Sequence, residues 1–151
     1  MDYEINKDTL AVLPLIDNKS RVVERKNEYI VNSKPYQVME HSCEYFGSSL
    51  SGRLNGSKSM LGTIYKAPIL VEESRNIIFF PTSSPSLEDT AWISLGNIDK
   101  YEQLGDKAKI IFRDGKEIIV DMPYLSLENQ ILRSARLESI IRSRKNYEKN
   151  D

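Results

Sequence analysis

Through the first two thirds of the chain, β-branched and aromatic residues gather in short runs broken by turn formers, and helical periodicity is scarce. That pattern predicts strands. The runs are Thr9–Ile16, Arg21–Glu24, Glu28–Val31, Gln37–Glu40, Leu61–Tyr65, Ile69–Val71, Ile77–Phe80 and Ala91–Ser94. The clearest hairpin comes next, where Lys109–Phe112 and Glu117–Val120 flank Arg113-Asp114-Gly115-Lys116. Asp-Gly is a strong signal for a tight turn between strands. Ser83-Ser84-Pro85-Ser86 reads as an exposed loop. From Ser126 the period changes: Leu127, Ile131, Ala135, Leu137 and Ile141 fall on one broad helical face, which predicts a single helix over about 126–145 with Ser126 as its N-cap. Asn129, Arg133 and Arg136 lie on a different arc, although Leu132 and Ile140 blur the division. The expected fold is α+β, a β-rich single domain with a C-terminal amphipathic helix.

A length of 151 residues and a hydrophobic content of 40% suit one domain over 1–151, with a core spanning about 3–145. No internal repeat or low-complexity stretch breaks it. No apolar run approaches the roughly 18 residues that span a bilayer, and Met1-Asp2-Tyr3-Glu4 lacks the basic and apolar regions of a secretory signal. The expected location is the cytoplasm, with no membrane partner. One cysteine excludes an internal disulfide, and with a single histidine it leaves too few soft ligands for a Cys/His zinc site. Neither a metal nor a cofactor is expected.

His41 and Cys43 raise the question of a thiolate nucleophile. In a strand they would share a face, yet nothing else in the sequence identifies an orienting group or oxyanion donors for them. The expectation is a packed Cys43, a partly exposed His41 and no enzyme. Asp114 and Glu117 belong to the hairpin turn, and Trp92 and Phe80 read as core rather than as base-stacking groups.

Ser42 to Arg53 is the densest segment, with Tyr45 and Phe46 as anchors, glycines at 47 and 52, several serines and Arg53. It reads as a structured turn that presents Arg53 on a pinned loop. Its composition would suit a phosphate, but the G-x-x-x-x-G-K-[ST] and G-x-G-x-x-G patterns are absent. A net charge of −1 lacks the basic balance usual in nucleic-acid binders. Its distribution is uneven, however. Lys34, Arg53, Lys58 and Lys66 outnumber Glu40 and Glu44 in residues 34–68, and basic side chains outnumber acids again in 126–149. Glu72, Glu73, Glu88, Asp89, Asp99, Glu102 and Asp106 concentrate acid between them. A polarised surface is expected, with basic segments toward phosphates and an acidic face turned away.

Several ordered motifs together resemble the ComK family, bacterial competence transcription factors that activate genes for DNA uptake. They are Ser42-Cys43 with Phe46-Gly47-Ser48-Ser49 and Gly52-Arg53, Lys66-Ala67-Pro68-Ile69, Phe80-Pro81-Thr82, Trp92-Ile93-Ser94, and Ser126-Leu127-Glu128-Asn129-Gln130 with Arg133 and Leu137. Thr9–Pro14 is similar to the family's N-terminal strand, so the match runs over roughly 3–140. The resemblance implies an activator that binds paired boxes in double-stranded A/T-rich DNA, largely through the minor groove, as a homodimer or higher homo-oligomer in the cytoplasm at the nucleoid. It implies DNA contacts by Arg53, Lys58 and Lys66 from central loops and by Arg133 and Arg136 from the helix. A rival reading is a non-activating regulatory or interaction protein that retains the ComK-like core. Typical family members continue past the helix into an assembly tail with an aromatic segment recognised by a proteolytic adaptor. Asn146–Asp151 offers no counterpart, so weak engagement of the adaptor-protease machinery is expected.

Overall fold

Two antiparallel sheets and three helices make up the described part of the chain. The computed structural model describes residues 2–62, 65–85, 87 and 89–149, with the side chains of 148 and 149 outside that description. The larger sheet contains β1 (Thr9–Leu15), β2 (Lys19–Glu24), β3 (Glu28–Val31), β4 (Ile69–Glu72), β5 (Ile77–Pro81) and β6 (Trp92–Ser94), ordered β3-β2-β1-β6-β5-β4. The smaller holds β7 (Ile98–Leu104), β8 (Lys107–Phe112) and β9 (Glu117–Val120) in sequence order. The helices are α1 (Pro35–Tyr45), α2 (Leu50–Leu61) and α3 (Tyr124–Lys149).

Every residue of β5 is buried, which requires cover on both faces of the large sheet. Alternation along the strand assigns the covers. Ile77 and Phe79 pack with Val12, Trp92 and the α1 residues Val38, Met39 and Cys43. Phe80 packs with Ile93 and with Ala108, Ile110 and Phe112 of the small sheet. Thus α1 and α2 cover one face while the small sheet and α3 cover the other. At the β4 edge the two helical covers meet: Leu61 of α2 joins Leu70, Ile78 and the α3 residues Leu137 and Ile141 in one cluster. An edge strand that could pair with another chain is thereby shielded.

The strand, hairpin and fold-class expectations hold over most of the chain, and the hairpin turn is as read, with Gly115 at φ +94°. Five corrections are needed. Gln37–Glu40 is helical, because Val38, Met39, Ser42 and Cys43 repeat at helical spacing on one buried face and Pro35 starts the helix. The predicted strand Leu61–Tyr65 fails at its start, since Leu61 ends α2; Thr63 and Ile64 lie outside the described residues. The final helix starts at Tyr124, where the Leu127 N–H donates to the Pro123 carbonyl at 3.0 Å, so Ser126 is inside the first turn and not its cap. Ala135 is exposed, and the buried face instead runs Leu127, Gln130, Ser134, Leu137, Ile141. Ser83, Ser84 and Pro85 are half-buried rather than exposed; Ser86 of that loop and Glu88 of the acidic stretch are outside the described residues, as are Asn150 and Asp151.

Candidate nucleic-acid interface

Ser42 to Arg53, expected to be a pinned turn, is the junction of two helices. Gly47 closes α1 at φ +86°, a conformation in which a Cβ is strained, and the Ser48 N–H returns to the Cys43 carbonyl at 2.9 Å. Ser49 then caps α2 by accepting the Gly52 N–H at 3.0 Å. A Cβ on Gly52 would sit 2.9 Å from that same hydroxyl, so glycine keeps the cap seated. Arg53 therefore lies in the first turn of α2, not on a loop. It is half-buried, its Nε is enclosed, and its charge is felt by the Cys43 thiol on α1.

Further along, α2 walls a groove of about 640 Å³. Tyr36 and Glu40 of α1, Ser51, Leu54 and Lys58 of α2, Tyr65 to Ala67, and Ser84 with Pro85 line it. Burial, and then a hydrogen bond with Glu44, hold the Glu40 carboxyl above the usual carboxylate range. A second hollow of about 350 Å³ is lined by Tyr65, Lys66, Ser126, Asn129, Gln130 and Arg133. The two share Tyr65 and Lys66 in their linings, so they adjoin across residues 65–66, one against α1 and α2 and the other against α3, as the two parts of a surface channel. Tyr65 stands 89% exposed at the junction. Lys66 takes the left-handed conformation, φ +57°.

Of the five cations singled out from the sequence, Lys58 lines the first hollow, Arg133 the second and Lys66 both, although they come from three separate segments. Arg53 and Arg136 line neither, and Lys58 reaches the first from a helix rather than a loop. Asn129 joins Arg133 there, as its position on the helical arc suggested. Sequence reasoning overlooked Tyr65 and Gln130, the first because it sat inside a predicted strand, the second because a buried amide carries no periodic signal. The remaining α3 cations are partly committed elsewhere. Lys145 donates to the Glu73 carbonyl at 2.8 Å and to Asn76 Oδ1 at 2.9 Å, and Arg142 lies 3.5 Å from Glu138. On the small sheet, Glu102 and Glu117 flank Lys109 at 3.7 and 3.5 Å, while Asp99 and Asp106 are exposed. These acids share the small sheet with Lys100, Lys107 and Lys109, and that sheet lies on the same side of the large sheet as α3, so the acidic face expected from the sequence is not set apart from the α3 cations.

His41 and Cys43 diverge, because residues two apart on a helix do not share a face. His41 pairs with Glu4 at 2.7 Å, while Cys43 is wholly buried and its thiol is pushed up to about 11 by burial, against the pull of the Arg53 charge. A neutral, enclosed thiol packs. Cys43→Ser is accordingly expected to retain the duplex binding that the family resemblance implies while losing about 1–3 kcal/mol of stability to an unpaired hydroxyl in an apolar site. Complete loss of binding by a variant with native melting would show instead that the thiol takes part in function. Among the described residues, no group of three or more His, Cys, Asp or Glu side chains could hold a metal ion. No described helix is long and apolar enough to cross a membrane.

The model of the family described as ComK protein matches residues 1–146. The chain is 36% identical over 146 residues to the competence transcription factor of Bacillus subtilis (strain 168), an alignment covering 94% of this chain and 76% of that protein. No solved structure matches it significantly.

Proposed function

The chain belongs to the ComK family, and from that membership we propose that it is a transcription factor that binds double-stranded DNA and activates competence genes. The convergence of Lys58, Lys66 and Arg133 on one channel is the observation that carries the reading. Cations on a rigid surface neutralise phosphates and set the register of a duplex, whereas sequence is read at base edges or through groove shape. A/T-rich DNA narrows its minor groove and deepens its negative potential, which favours an inserted guanidinium. Arg133, with Asn129 beside it, is the group we assign to that groove, and Lys58 and Lys66 to the flanking phosphates. Arg53 and Arg136, off the channel, are outer phosphate contacts. Paired boxes call for at least a dimer on DNA, acting in the cytoplasm at the nucleoid, and binding of this kind uses no cofactor.

Titrating salt against binding to an A/T-rich paired-box duplex and a G/C-rich duplex of equal length tests the reading. Affinity for both should fall steeply with salt while the A/T preference persists, because counterion release is common to the two and shape readout is not. Weak or absent binding to both would favour the rival, a regulatory protein that retains the fold without activating.

A further inference from the structure

Gln130 is an amide at 2% exposure on a helix face otherwise suited to apolar packing. Buried amides are kept only where their donors and acceptor find partners, since an unpaired one is costly. Here the partners come from three places. Nε2 donates to the Lys66 carbonyl at 2.9 Å and to the Pro81 carbonyl at 2.7 Å, and Oε1 accepts from Arg133 Nη1 at 3.1 Å. The Gln130 carbonyl in turn accepts the Ser134 hydroxyl at 2.7 Å, seating this turn of α3. One side chain thus references α3, the end of β5 and the segment carrying Lys66 to the same two atoms.

We propose that Gln130 is a positioning residue that fixes Lys66 and Arg133 relative to each other for binding the DNA backbone and groove; this rests on the DNA-binding reading above. Lys66 holds φ +57°, a conformation unfavourable for a residue with a Cβ, and the bond to its carbonyl helps to retain it. Arg133 has one guanidinium nitrogen tied down while the rest of the group lines the hollow. Long cationic side chains lose rotamer freedom on binding, so holding both in place beforehand lowers that cost. A purely structural pin would also stabilise α3, but it would act on DNA affinity independently of whether Lys66 and Arg133 are present.

That difference is measurable. Binding of an A/T-rich paired-box duplex is followed by fluorescence anisotropy over a salt series for the native chain, Gln130→Met and Gln130→Glu. Each is made alone and with Lys66→Ala plus Arg133→Ala, at temperatures where melting curves show every variant folded. Gln130→Met should lower affinity roughly tenfold alone and less than about twofold once both cations are gone, as coupled residues do. Equal losses in the two backgrounds, or no loss, would overturn the positioning role while leaving DNA binding intact. Absence of salt-dependent binding by the native chain would overturn both. Gln130→Glu preserves shape, so it serves if the methionine variant does not fold. The introduced carboxyl cannot donate to the Lys66 and Pro81 carbonyls when ionised, and the Arg133 guanidinium beside it favours that ionised form, so the tie to Lys66 is lost. Gln130→Glu should therefore lose affinity in the native background and lose less than about twofold once Lys66 and Arg133 are both replaced; equal losses in the two backgrounds would overturn the proposal.

Discussion

Replacing Lys58, Lys66 and Arg133 together by alanine is expected to cut affinity for A/T-rich duplex by on the order of 100- to 1000-fold at moderate salt. It should also flatten the plot of log affinity against log salt by about three, roughly one for each lost phosphate or groove contact. None of the three side chains belongs to the apolar core, but losing Arg133 leaves the buried Gln130 Oε1 without its donor, so the variant should stay folded while melting below the native chain, by about 1–3 kcal/mol of stability. Lys66 offers a sharper version. Its φ of +57° costs a lysine on the order of 1 kcal/mol and a glycine almost nothing. Lys66→Gly should thus stabilise the fold slightly while weakening DNA binding. Loss of affinity with a gain in melting temperature is hard to attribute to damage. An unchanged affinity and salt slope in the folded triple variant would remove the channel as the interface.

The strands that could be read from sequence are those with one rule operating throughout. β3, β8 and β9 are short runs rich in β-branched and aromatic residues, the last two joined through Asp-Gly, and β5 is a short, continuous apolar run. The misread elements carry a polar residue where the rule demands an apolar one. In α1 the buried face includes Ser42, which is there because its hydroxyl accepts the Ile5 N–H at 3.1 Å. In α2 the inward positions are Leu50, Leu54, Ser57 and Leu61, a helical spacing hidden by Ser57 and by glycines at 52 and 56. β7 has Ile98 as its single buried residue, so no alternation marks it. In α3, Gln130 and Ser134 replace apolar residues on the docked face, and Ala135 was mistaken for a member of it.

The candidate site was legible in part for a related reason. Charge on Lys58, Lys66 and Arg133 could be noticed residue by residue, but their convergence depends on α2 and α3 meeting beyond β4, a tertiary fact. Arg53 reads as a loop residue because the stretch around it is rich in glycine and serine. Once the stretch is two helices, the arginine turns out to be partly enclosed near Cys43.

The same architecture separates global stability from the integrity of the site. Phe79→Ala, on the face covered by α1, should cost about 3–5 kcal/mol, and Leu137→Ala, where α3 docks on β4 and β5, about 2–5 kcal/mol. Both side chains are wholly buried, so both variants should melt well below the native chain. Their effects on DNA should differ. Phe79 belongs to the cluster under α1 and α2, and its loss should lower the folded fraction of a chain whose folded molecules still bind. Leu137 lies one helical turn beyond Arg133 in the seam that joins α2 to α3. Loosening that seam frees the α3 side of the channel before the sheet unfolds. Leu137→Ala should therefore weaken duplex binding roughly tenfold even at temperatures where circular dichroism reports a folded protein, whereas Phe79→Ala corrected for folded fraction should bind within about twofold of native. Equal corrected affinities for the two variants would mean that the docking of α3 is irrelevant to recognition, and that the channel's α1–α2 side carries the binding alone.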